Sequence, residues 1–430
     1  MLKYIQIAIG VIITSFYFFP FEFTFLPGVN TKMAMAGIGL VILGFQLGKA
    51  RNSIFSKDAV TISMYALVVS FTSFVAVTLN ETRDYTYVSY IISMWVWLSA
   101  AYVVVMYMRK VHGYISVELV CNYLIAVCVF QCVSAILVDF YVPFRLLVHS
   151  TVAGMQEVWL QERLHGVGAH LDPSGARFAV ALVVIAYLCT QLMETPRRKY
   201  VVCYILAFFI IAVVGNMIAR TTTVGIVLAV AYIIFALGLH RLSFNRSVWR
   251  LALWGVVALL VVVPIVVWFY NNNEQVHDNL RFAFEGFFSL AETGEWEVRS
   301  NEILRNMVVF PDNAKTWWIG DGYMINPEGI DPYYTGPSFH GYYMQTDIGY
   351  LRFIFYSGVP GLLAMMAFIW KAGRICMQKN PHLATLFWLF LAVNFTVWFK
   401  VSTDIFLVFA LFLVLDRVRP EEDPLMCPES

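Results

Sequence analysis

Long apolar runs alternate with short polar turns along almost the whole chain. Twelve of these runs are each about long enough to cross a bilayer, which takes roughly 20 mostly apolar residues. They lie near 4–20, 33–48, 59–79, 86–107, 115–139, 176–194, 200–218, 222–240, 251–270, 350–370, 383–399 and 402–416. The pattern predicts an all-α polytopic membrane protein with about 12 transmembrane helices. Two stretches break the rhythm: an outer loop near 140–175 and a much longer one at 271–349. The chain thus divides into 1–270 with the first nine helices, 271–349 as a large, partly helical loop, and 350–430 with the last three helices and a short tail.

Composition strengthens this reading. Residues are 60% hydrophobic and only 13% charged, and the mean hydropathy of +0.70 lies far from that of a soluble domain. A formal net charge of +1 offers no basic surface for a nucleic-acid partner. The charges instead orient the chain. With the N-terminus inside, every inner segment is basic: Lys3; Lys49, Arg51 and Lys57; Arg109 and Lys110; Arg197, Arg198 and Lys199; Arg241, Arg246 and Arg250; Lys371, Arg374 and Lys379; Arg417 and Arg419. Both termini are therefore expected in the cytoplasm, with the two long loops outside. The first apolar run ends in Phe16-Tyr-Phe-Phe-Pro20 and lacks a small-residue cleavage site, so it is expected to remain as a span. No cysteine falls in an outer loop, which predicts no disulfide framework there.

Candidate chemistry collects toward the outer face. Within the spans Glu118 is the clear ionisable residue, with Asp139 at an edge. Arg220 sits in the hairpin from Asn216 to Gly225, where one span turns directly into the next, with no acidic neighbour in sequence. A fork of donors beside threonine hydroxyls at a helix start suits a phosphate; lipid-headgroup snorkelling is the structural alternative. The first outer loop carries Arg163, His165, His170 and Arg177, and Asp172-Pro173 reads as the cap and first residue of the following span. His165 and His170 lack an acidic or thiol partner at ligand spacing, so no metal and no cofactor are assigned.

The 79-residue loop holds 4 basic and 12 acidic residues with 14 Phe, Trp and Tyr, too aromatic for a linker. Trp317, Trp318 and Tyr323 are candidates for stacking sugar rings; a small core beneath the loop is the other reading. Its exit runs from Phe339-His340 to Asp347 and Arg352, then Gly358-Val-Pro-Gly361, which would allow a kink or close packing. With a helix starting near His340, Asp347 would share its face, whereas Arg352 would point about 140° away and form no local pair.

Four patches together resemble the O-antigen polymerase and ligase superfamily of bacterial inner-membrane proteins. They are Arg163 to Arg177, Ala219-Arg220-Thr-Thr-Thr, Ile319-Gly-Asp-Gly-Tyr323 and His340 to Gly361. The resemblance implies a GT-C-like helical fold with a periplasmic loop. It implies a metal-independent glycosyltransferase that takes oligosaccharide from an undecaprenyl diphosphate carrier. His340 and Asp347 would be catalytic, and Arg163, Arg177, Arg220, Arg299, Arg305 and Arg352 would hold the diphosphate. His165, Trp317, Trp318 and Tyr323 would face glycan. Membrane lipids, a flippase and a chain-length regulator are the implied partners in lipopolysaccharide assembly. The stretch Asp347 to Arg352 resembles polymerases more than ligases, and a polytopic transporter or lipid-linked oligosaccharide flippase is the reading from a different class.

Overall fold

The computed structural model describes residues 2–47, 57–160, 164–193, 195–236, 246–339 and 341–415. Among them the chain forms α-helices joined by short turns and no strand longer than an isolated bridge. In order these are α1 (Leu2–Phe18), α2 (Thr31–Leu47), α3 (Lys57–Leu79), α4 (Tyr90–His112), α5 (Val117–Phe140), α6 (Val142–Thr151), α7 (Met155–Leu160), α8 (Leu171–Leu192), α9 (Val201–Ile218) and α10 (Thr222–Ala236). There follow α11 (Arg246–Asn272), α12 (Glu274–Ala283), α13 (Glu285–Thr293), α14 (Arg299–Asn306), α15 (Ala314–Trp318), α16 (Gly349–Lys379), α17 (Ala384–Val397) and α18 (Phe406–Leu413).

Seven of these are long and apolar enough to cross a membrane: α3, α4, α5, α8, α9, the Leu253–Asn272 part of α11, and α16. Helices Leu2–Phe18, Thr31–Phe45, Thr222–Ala236 and Pro381–Val397 are apolar but shorter. The last predicted run, 402–416, is helical only over Phe406–Leu413 among the described residues. The protein is thus membrane-embedded and all-helical, and the long loop is partly helical, as expected from its pattern.

The chain packs as two compact units: Met1–Ala34 with Val104–Trp296 and Leu415–Ser430, and Met35–Val103 with Glu297–Val414. In the first, α8 is the central helix. It is apolar all round and buried along most of its length, against α5, α9 and α10. Between lipid-immersed helices close packing must supply the attraction, and small residues permit it. Gly175 follows this rule: a Cβ there would stand 2.8 Å from Cβ of Thr221. Glu118 is paired with Arg197, 3.4 Å away. Helix α11 is equally apolar but faces outward along nearly all its length, which in a membrane places its side chains against lipid. Asn273 then caps α12 by accepting from Val276 N at 2.9 Å, and Gly294 in the left-handed conformation ends α13.

The second unit is built on α16, which packs against α3, α15, α17 and α18. Its core is aromatic, with Phe387, Phe390, Phe409 and Phe412 in contact and Trp398 fully buried. The kink allowed there is a full break: Ser357 (φ −139°) and Gly358 (φ +68°, ψ −177°) leave helical geometry. A side chain at Gly358 would be strained by φ and would also meet the Trp318 backbone, at 2.5 Å from its carbonyl carbon. The segment Gly320-Asp321-Gly322 fills the break. Asp321 N donates to Phe355 O at 2.6 Å and Gly322 N to Tyr356 O at 3.1 Å, satisfying carbonyls that the break would orphan.

Candidate functional site

In the first unit the candidate residues gather at the start of α8. The preceding loop is fastened from below. Gln131 of α5, fully buried, donates through Nε2 to Val167 O and to Ser15 Oγ, each at 2.8 Å. Gly166 N donates to Ala169 O at 2.8 Å. This holds His165 inward at 1% exposure, where burial pushes its pKa down to about 4. Its partner is His149 on α6, with Nε2 atoms 3.3 Å apart, a meeting that the sequence does not announce. His170 is half-buried and its pKa is also lowered, by burial first and by Arg177 second.

Helix α8 begins at Leu171, one residue before the expected cap. His170 is the N-cap, and Ser174 Oγ both accepts from His170 N and donates to His170 O, each at 2.9 Å. Leu171 sits at φ +55°, a strained conformation for a branched side chain. Asp172 is released from capping and accepts from the Thr221 hydroxyl across the α9–α10 turn. That turn is tight because Thr222 Oγ1 donates to Gly215 O at 3.0 Å and Thr223 Oγ1 to Asn216 Oδ1 at 2.7 Å.

Arg220 projects from this turn; its sequence neighbours carry no acid, and its ion-pair partner comes from a distant segment. Glu285, from α13 of the long loop, places Oε2 2.6 Å from Arg220 Nη1. The guanidinium carbon also lies 4.0 Å from the Phe282 ring centroid. The pair joins residues far apart in sequence, so no local pattern announced it. Arg177 is on another side of α8: two residues past Gly175, about 200° round the helix, it lies over the Phe19 ring of α1 at 5.4 Å. Arg177 lies over Phe19, whereas Arg220 pairs with Glu285 and lies over Phe282. Arg163 lies outside the described residues.

The second unit holds the loop exit. Helix α16 starts at Gly349, well after His340; a 3₁₀ turn at Tyr343–Gln345, with Met344 at φ +52°, comes before it. Asp347 therefore lies before the helix, and His340, with which it was expected to share a face, lies outside the described residues. Because Asp347 precedes the helix, the 140° argument does not apply, and it pairs with Arg352 after all, at 2.9 Å. Arg352 Nη2 also donates to Met324 O at 2.6 Å and its guanidinium lies 4.6 Å from the Tyr342 ring. The other side of this peptide is held by Asp84, a buried residue of the α3–α4 turn that the sequence reading passed over. Its Oδ2 accepts from Met324 N at 2.7 Å and Ile325 N at 3.2 Å. The polar stretch Glu81-Thr-Arg-Asp84 between two apolar runs was the signal that could have pointed to it.

The aromatic candidates divide. Tyr323 donates to Asp331 Oδ2 at 3.0 Å and Tyr343 to Asp321 Oδ2 at 3.2 Å. Burial, then these carboxylates, raise both phenol pKa values, so both remain donors at neutral pH. With Tyr334 and Phe339 their rings touch edge to face and tilted, forming the small core under the loop. Trp317 is half-buried, donates to Pro311 O at 3.0 Å and stacks with Phe310. Trp318 is exposed, as are Arg299 and Arg305 on α14. Among the described residues no three His, Cys, Asp or Glu side chains gather in a metal-holding group. In comparisons with known proteins, no family model, no curated relative and no solved structure matches the chain.

Proposed function

We propose that the protein is a glycosyltransferase of the O-antigen polymerase type, moving repeat units from an undecaprenyl diphosphate carrier on the periplasmic face of a bacterial inner membrane. In this reading all 12 apolar runs are spans, the arrangement is GT-C-like and both termini are cytoplasmic. The observation that carries it is Arg220, set in a tight helix-to-helix turn with a carboxylate of the long loop as its ion-pair partner. A diphosphate offers more charge and a two-point match to the guanidinium than one carboxylate does, so it can displace Glu285. Cations at the leaving group stabilise developing charge without a metal ion. His340 is the acceptor base in this scheme. Asp347 is engaged with Arg352, so its part is to orient that guanidinium. Exposed Trp318 offers a flat face to a sugar, and Arg163, Arg177, Arg299 and Arg305 add positive potential for the incoming carrier.

The test is the surface polysaccharide of a deletion strain, resolved on a gel. A single repeat unit on lipid A core supports a polymerase. Polymer that stays on carrier lipid, with a bare core, makes the protein a ligase. Unchanged polysaccharide would sink both. The broken helix α16 favours a transporter as the second reading, since unwound segments in transporters present carbonyls to an ion. Here the Phe355 and Tyr356 carbonyls accept from Asp321 and Gly322. That engagement weighs toward the transferase.

A further inference from the structure

Two imidazoles meet at the loop before α8. The Nε2 atoms of His149 and His165 are 3.3 Å apart, with ring centroids 5.4 Å apart and planes tilted by 32°. His165 Nδ1 lies 3.2 Å from Gly166 O, and a carbonyl can only accept, so Nδ1 carries the proton and Nε2 the lone pair. A backbone carbonyl behind one ring nitrogen is the usual support of a metal-bound histidine, fixing both tautomer and orientation. The separation fits as well. Two nitrogens bound about 2.05 Å from one tetrahedral zinc stand roughly 3.3–3.4 Å apart. His149 is half-buried and so within reach of solvent ions. One feature opposes binding: the Arg145 guanidinium, 4.9 Å from the Trp159 ring that adjoins His149, lowers the affinity for a cation.

We propose that His149 and His165 bind one divalent transition ion, zinc or copper, through their Nε2 atoms, with water completing the coordination. The ion would cross-link α6 to the loop that leads into α8. The proposal is independent of the transfer reaction, since neither histidine is placed in its chemistry by the ion. The experiment uses the full-length, tag-free protein in lipid nanodiscs, stripped with EDTA and titrated with Cu²⁺, with Zn²⁺ as competitor. One equivalent of Cu²⁺ with nitrogen hyperfine structure in the electron paramagnetic resonance spectrum is expected, displaced by Zn²⁺ only in large excess. His149→Gln and His165→Gln should each weaken binding by at least about tenfold, while His170→Gln should not. Should the His165 variant fail to fold, His149→Gln decides. Absence of micromolar binding, a sulfur-ligated signal, or an unchanged titration in His149→Gln would overturn the proposal and leave the two rings sharing a hydrogen bond alone.

Discussion

Arg220 and Arg352 look alike in the chain: each stands at the mouth of an apolar helix, pairs with a carboxylate and lies over an aromatic ring. Their surroundings differ. Arg352 and Asp347 have side chains only 9% and 13% exposed, and Arg352 divides its fork between that carboxylate and the Met324 carbonyl. Asp84 accepts from Met324 N and Ile325 N on either side of that carbonyl. Arg220 and Glu285 are 16% and 31% exposed, and Glu285 comes from a short helix ended by a left-handed glycine. A guanidinium woven into backbone is a fastener. One that faces a half-exposed carboxylate has a partner a ligand can replace.

The contrast can be broken at several strengths. Arg352→Met should have the largest effect, because it leaves Asp347 and the Met324 carbonyl without this donor in a buried place. A loss of about 3–5 kcal/mol is expected for removing one member of such a pair. It would show as a collapse of the melting temperature and yield in nanodiscs, partly recovered by adding Asp347→Leu. Near-normal melting would make Arg352 as dispensable to the fold as Arg220. Arg220→Lys keeps the charge and loses the fork, so polymer formation should fall on the order of 10²-fold while stability changes by less than about 1 kcal/mol. Full-length polymer in the lysine variant would reduce Arg220 to a lipid-headgroup contact.

A pH series sharpens the comparison, since His165 belongs to the first unit. His165 has a folded value of about 4, below the unfolded value near 6.5. A depressed folded value contributes stability above pH 6.5 and loses it progressively as pH falls through 4. Melting temperature should therefore drop between pH 7 and 5, and less steeply in His165→Gln. Parallel curves for the two proteins would remove His165 from the account. Smallest of all, Glu285→Gln should alter stability by no more than about 1 kcal/mol. It should tighten inorganic pyrophosphate binding a few-fold, measured calorimetrically; unchanged or weaker binding would mean that the carboxylate does not compete at Arg220.

What could be read from the sequence follows the range of the interactions. Apolar runs forecast the helices because hydropathy is summed over one stretch of chain, and Gly358 with Pro360 allowed for the break. The start of α16 did not follow, because Tyr343 is drawn to Asp321, and the left-handed Met344 keeps the segment from coiling. Asp347–Arg352 was missed for the same reason: a helical wheel says nothing about a residue outside the helix. Asp84 with Met324, Arg220 with Glu285 and His149 with His165 link separate elements, and no periodicity encodes such meetings.

The plug in α16 also bears on how the protein is made. Gly320, Asp321 and Gly322 leave the ribosome before the helix whose break they fill, and the Phe355 and Tyr356 carbonyls find those amides only when both are present. A straight helix would strand the plug, and a broken one would leave two carbonyls without their donors until the plug docks. The final bend of the helix is thus completed by a second segment of chain, a joint closing event and not the work of the helix alone.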